Sequence, residues 1–174
     1  KWIFLKRDKI SLLNILQKKG FFFRKCFPNR KINNIYYDTS SLKSLRDNLS
    51  GIKSREKLRV RWYGNFFSTN KLCIERKIKN NQIGFKKRDK INFQLNLDDY
   101  SSIKKLNHYI SSKYFLMNQK VFPILYNSYE RIYTSSKIFP DIRCTLDFNL
   151  KSFIFNETSL PKNLKLHSHL ILEI

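Results

Sequence analysis

The sequence predicts an α+β fold built on antiparallel strands, and three observations carry that expectation. Seven segments alternate apolar and charged residues with the period of two that a half-buried strand requires. Short polar turns join neighbouring segments, and three stretches place apolar residues at helical spacing. With 174 residues, 41% of them hydrophobic and 15% aromatic, the chain can bury a real core as a single domain, 1–174, and disorder is excluded. Only 4 Gly and 4 Pro are present, which excludes collagen-like and low-complexity classes and argues against Gly-rich phosphate loops.

Taken in order, Lys1–Lys9 is basic and aromatic but lacks a signal-peptide core. Asp8–Lys19 predicts a helix, with Ile10, Leu13 and Leu16 on one side and Gly20 as its stop. Lys31–Asp38 predicts a strand ending in Tyr36, Tyr37 and Asp38, and Thr39–Asn48 a helix closed near Gly51. Strands are then expected over Glu56–Tyr63, Lys71–Ile78 and Phe85–Leu95, with turns at Asn65–Asn70 and Asn80–Gly84. Asp98 is the expected N-cap of a helix running to Lys113. Three more strands follow at Ile124–Tyr133, Ile142–Phe148 and His169–Ile174. No internal repeat and no linker interrupt the series, and no apolar run approaches the roughly 20 residues that span a bilayer. Cys26, Cys73 and Cys144 are odd in number and far apart, the pattern of reduced thiols in a cytoplasmic protein, not of a zinc site.

The charge is lopsided: 35 Lys+Arg against 13 Asp+Glu give a net +22. An AT-rich genome inflates Lys, Asn, Ile and Phe without any function, and the chain contains no Ala, so position has to decide what the charge means. In Glu56–Tyr63, Leu58, Val60 and Trp62 alternate with Lys57, Arg59, Arg61 and Tyr63. In the next strand Leu72, Ile74 and Ile78 share a side with a misfit, Arg76, opposite Cys73, Glu75, Lys77 and Lys79. Lys86 and Arg88 share a side, as do Tyr129, Arg131 and Tyr133, and Arg143, Thr145 and Asp147 alternate with Ile142, Cys144, Leu146 and Phe148. Between Lys53 and Lys90 stand thirteen basic residues against Glu56, Glu75 and Asp89. Solvated strand faces normally mix signs, because like charges across a sheet repel. Arg at 59, 61, 88, 131 and 143 suits forked contacts to phosphate oxygens. The pattern therefore predicts a face for a polyanion.

The pieces YYDT at 36–39, KLRVRWYG at 57–64, IERKIK at 74–79 and KKR at 86–88 occur in order, followed by YER at 129–131, RCTLD at 143–147 and LEI at 172–174. Together they resemble the polyphosphate polymerase domain of the vacuolar transporter chaperone (VTC) family, within the CYTH-like triphosphate tunnel metalloenzymes. The resemblance implies an antiparallel β-barrel tunnel with helices packed outside, apolar strand faces outward and a cationic lumen. It also implies a domain truncated at both ends, since the family's first strand would begin before Lys1 and its closing helix would follow Ile174. The implied activity is transfer of the terminal phosphoryl of ATP onto inorganic polyphosphate, or triphosphate, with Mn²⁺ or Mg²⁺. By the same resemblance Arg59, Arg61, Lys77, Arg131 and Arg143 are expected to act on the reacting phosphates, and Lys86 and Arg88 to bind the substrate chain, where Lys57 joins them because it shares their strand face. Glu173 matches a late metal-binding glutamate. Glu75 is either a second metal ligand or a carboxylate that orients the cations, and internal ion pairing competes for both Glu75 and Asp147. Tyr37 and Asp38 are expected to be structural, and His108, His167 and His169 are not required.

Three alternatives stand beside this one. A tunnel hydrolase would use the same cations with water as acceptor, and a degenerate domain would bind polyphosphate without chemistry. A nucleic-acid module would stack bases on the exposed aromatics. Against the last, no nucleic-acid-binding signature is present and Trp62 falls on the apolar side of its strand.

Overall fold

The computed structural model describes residues 1–18, 22–65, 68–116, 118–155, 161 and 163–174. In chain order these form β1 (Trp2–Leu5), a 3₁₀ turn (Lys6–Asp8), α1 (Lys9–Lys18), β2 (Phe23–Lys25), β3 (Arg30–Asp38), α2 (Lys43–Leu49) and β4 (Ser54–Tyr63). Then follow β5 (Ser68–Asn80), β6 (Ile83–Asn96), α3 (Tyr100–Lys113), β7 (Phe122–Ser136), β8 (Arg143–Ile154), β9 (Lys165–Leu166) and β10 (His169–Glu173). The α+β class and the antiparallel pairing expected from alternation are both found. The expected stop at Gly20 and part of the expected turn at Asn65–Asn70 lie outside the described residues.

The chain divides into two compact units. One comprises Lys1–Ile32, Ser128–Ser152 and Lys165–Ile174; the other comprises Asn33–Asn127 and Phe153–Leu164. In the first unit the strand order is β1-β10-β8-β7, with β2 added to β7 and β9 to β8. In the second it is β7-β3-β4-β5-β6. Among the described residues β1 pairs with β10 alone and β6 with β5 alone, so the sheet is open and the closed barrel implied by resemblance is not seen. β6 carries Lys86, Lys87, Arg88 and Lys90 along an almost wholly exposed strand, charges that oppose pairing of an open edge.

The core of the second unit lies between α3 and one face of its strands. Leu58, Val60 and Trp62 of β4 are fully buried, with Leu72 and Ile74 of β5 and Ile103, Leu106 and Ile110 of α3. α3 begins one residue later than the sequence suggested: Asp99, not Asp98, accepts a hydrogen bond from the Ser101 amide at 2.8 Å. The start of α2 also shifts, from Thr39 to Lys43, because residues 39–42 turn back with Leu42 N–H donating to the Thr39 carbonyl. Asp38 caps this helix from outside it. Its carboxylate accepts from the amides of Thr39 (2.8 Å), Ser44 (2.9 Å) and Leu45 (2.9 Å), which gives Asp38 the structural role expected of it. Tyr37 is buried and donates to Asn107 Oδ1 at 2.7 Å.

The first unit has its own core of Leu16, Phe23, Ile132, Cys144, Leu146, Phe148, Leu170 and Leu172. α1 contributes Leu16 with Leu12 and Leu13, while Ile10, expected on the inner side, is exposed. All three cysteines are free thiols.

Candidate functional site

Strand register sets the site out in rows across β4, β5 and β6. Lys57 stands opposite Lys77, and Lys77 opposite Lys86. Two residues along, Arg59 faces Glu75 and Glu75 faces Arg88; two further, Arg61 faces Cys73 and Cys73 faces Lys90. Because alternate residues share a face, these rows occupy the side of the sheet away from α3. Every cation predicted on β4, β5 and β6 therefore falls on one face, with Glu75 as the carboxylate of these rows.

Glu75 is buried, at 3% exposure, and is surrounded by cations. Its Oε2 accepts from Arg59 Nε at 2.7 Å, pairs with Arg59 Nη2 at 2.5 Å and lies 3.7 Å from Arg61 Nη1. Its Oε1 takes Lys86 Nζ at 2.9 Å and Arg88 Nε at 3.2 Å. Burial alone would raise its pKa, but the Lys86 hydrogen bond and the charge and hydrogen bond of Arg59 outweigh burial and hold it at about 2. Lys86 is shifted down, chiefly by burial and against the pull of Glu75. Arg59 is shifted up: burial opposes the shift, and Tyr36 and Glu75 overcome it.

Neighbouring strands fix the guanidinium orientations. Arg59 Nη1 donates to the Tyr36 hydroxyl at 3.1 Å, and Arg61 Nε donates to Asn34 Oδ1 at 2.7 Å. Asn34 in turn donates to Asn127 Oδ1 at 2.8 Å. Tyr36, Asn34 and Asn127 were missed by the sequence reading. The signal was there, since Asn34 and Tyr36 alternate with Ile35 and Tyr37 along β3.

Arg76, the misfit on the apolar side, forms a forked pair with Glu56, at 2.9 and 2.7 Å from its Nη2. Glu56 alternates with Lys57 and so lies on the same side as Arg76, away from the cationic face. The Lys57–Lys77–Lys86 row, with Arg55 and Lys79, opens onto a cleft of about 510 Å³ lined also by Asn48, Gly84 and the apolar Ile78 and Phe85, whereas Arg59, Arg61 and Arg88 lie outside its lining. Among the described residues, no carboxylate lines it.

In the first unit, Arg131 is held in a forked pair by Asp147, Nε to Oδ1 at 2.5 Å and Nη2 to Oδ2 at 2.6 Å, and its pKa is raised. The raising comes from Asp147 and the neighbouring tyrosines against the cost of burial. Arg143 is exposed at the start of β8. Glu173 is half-exposed and pairs with Lys1 at 3.4 Å. His167 shares a 2.7 Å hydrogen bond with Ser152 Oγ, and no group of three or more His, Cys, Asp or Glu able to hold a metal occurs among the described residues.

The VTC domain model matches residues 24–174. The chain belongs to the VTC domain family. The match takes in all ten predicted site residues. No curated protein matches the chain. Membership is consistent with a polyphosphate-related role, and a face dominated by cations is the chemistry such a role needs.

Proposed function

We propose that this VTC domain makes polyphosphate by phosphoryl transfer from ATP. The observation that carries the reading is the Lys57–Lys77–Lys86 row across β4, β5 and β6, which with Arg55 and Lys79 opens onto a cleft with no carboxylate in its lining among the described residues. A terminal oxygen of the growing chain attacks the γ-phosphorus of ATP, the bond to the β-phosphate oxygen breaks, and ADP leaves. Such a transition state needs alignment and charge neutralisation and no protein nucleophile.

In this scheme Arg59, Arg61 and Lys77 neutralise charge on the reacting phosphates; Arg131 and Arg143 belong to the other unit and take no part in this cluster. Lys57, Lys86 and Arg88 hold the polyphosphate chain. Glu75, occupied on both oxygens by cations, suits an orienting role better than a metal. Glu173, half-exposed and paired with Lys1, is the carboxylate that would hold Mn²⁺ or Mg²⁺ in this reading. Such an ion, when bound, supplies further charge neutralisation at the phosphate oxygens.

Incubating the chain with ATP and Mn²⁺ and measuring polyphosphate, ADP and free phosphate tests the reading. Polyphosphate accumulating with ADP is expected. Free phosphate without chain product would make the domain a hydrolase, and tight polyphosphate binding with neither product would make it a non-catalytic binder.

A further inference from the structure

A second pocket, of about 320 Å³, lies between α2, β3, β4 and β7 in the same unit as the cationic cleft. The two share Asn48 and Lys57 as lining residues, so they adjoin. Their chemistry differs. The second pocket has walls of Leu42, Leu45, Leu58, Ile124 and Leu125, with Tyr36 beside them.

We propose that this pocket receives the purine base of a nucleotide whose phosphates run past Lys57 into the cationic cleft. The proposal rests on the polyanion reading of that cleft. Apolar walls and an aromatic ring suit a flat heterocycle, and the pocket volume is enough for one. The polar groups sort into two sets. Those at its base are already satisfied: Asp38 accepts from three amides, and Ser44 Oγ donates to the Glu56 carbonyl at 2.5 Å. Two side-chain amides are left for a ligand. The Asn48 side chain is half-buried and makes no hydrogen bond among the described residues. Asn127 accepts from Asn34 through Oδ1, leaving its NH₂ as a donor. A carboxamide presents a donor and an acceptor side by side, matching the adjacent N6 donor and N7 acceptor of adenine. The position of Asn48 on both pockets places that recognition at the junction of base and phosphates.

The inference separates from the reading beneath it by comparing two ligands, ATP and tripolyphosphate, in calorimetric titrations at fixed ionic strength. Asn48→Leu removes the amide and keeps its size; Leu45→Trp narrows the pocket from a half-exposed position. Leu45→Trp, which touches the base pocket alone, is expected to weaken ATP about tenfold while leaving tripolyphosphate unchanged, and Asn48→Leu, at the junction of the two, should erase a preference of ATP over CTP. Equal losses for both ligands, unchanged ATP binding in both variants, or equal affinity of the wild-type chain for ATP, CTP and tripolyphosphate would overturn the base site. Failure of the wild-type chain to bind tripolyphosphate would instead overturn the cleft reading, and the base site with it.

Discussion

Glu75 compensates a part of the charge around it, and its ionisation is the condition for the cluster to form. Its folded-state pKa of about 2 lies below the ordinary carboxylate value, so the folded chain favours the ionised form. The corresponding stability is fully present above the ordinary value near 4.5 and is lost as pH falls toward 2. Its size is on the order of 2–3 kcal/mol. Denaturant midpoints of wild type and Glu75→Gln should therefore differ most at neutral pH and converge toward pH 2; a gap that stays constant would remove Glu75 as the titrating group. Arg59→Ala tests the opposite partner. Glu75 keeps Lys86, Arg88 and Arg61, so the fold is expected to persist while tripolyphosphate binding weakens by about 1.5–3 kcal/mol. Loss of the fold with affinity retained in the folded fraction would invert the assignment of strand faces. Alternation made the positions of Arg59, Glu75 and Lys77 legible from sequence. The strength of their pairing was not legible, because it depends on which cations register brings across from β6, and on Tyr36 and Asn34 reaching in from β3.

At the scale of elements, the sequence showed where strands lie better than where they stop. Ile142–Phe148 was expected to end with its alternation, yet β8 continues to Ile154 through Asn149, whose φ of 53° lets one residue kink without ending the strand. β2 and β9 are too short, at 3 and 2 residues, to show a period, and pairing with β7 and β8 defines them. α2 is legible as a helix but not its start, since its amides are capped by a residue on the preceding strand. A 7-residue helix cannot hold itself. Asp38→Ala should accordingly cost on the order of 2 kcal/mol, read from denaturant unfolding; no change would show that the three amides find other partners. For α3, Asp99→Ala should lower the thermal midpoint and Asp98→Ala should not, and the reverse result would return the cap to Asp98. In the core, Trp62→Ala should cost about 3–5 kcal/mol because the buried ring fills space under α3.

For the whole molecule, a net +22 means that the folded chain carries self-repulsion a polyanion relieves. Among the described residues, no helix is long and apolar enough to cross a membrane. The thermal midpoint should rise along the series phosphate, pyrophosphate and tripolyphosphate, since a ligand held by the native state alone stabilises by mass action, about 2.7 kcal/mol at a hundred times its Kd. A flat series would count against a built site, and an equal, strongly salt-sensitive gain from duplex DNA would favour a nucleic-acid partner.

The cation rows amount to a grid with unequal spacings. Neighbours across β4, β5 and β6 lie about 4.8 Å apart, whereas successive rows along a strand lie about 6.8 Å apart. A flexible chain of phosphates laid across the strands therefore meets closely spaced charges and soon reaches the edge at β6. One laid along β5 meets fewer charges per unit length, but its contacts continue from the Lys77 row past Glu75 to the Cys73 row. Affinity plotted against chain length would distinguish the directions: an early plateau for a crosswise lie, a longer climb for a lengthwise one. The register of three strands thus acts as a ruler, and the length at which affinity stops growing reads its orientation.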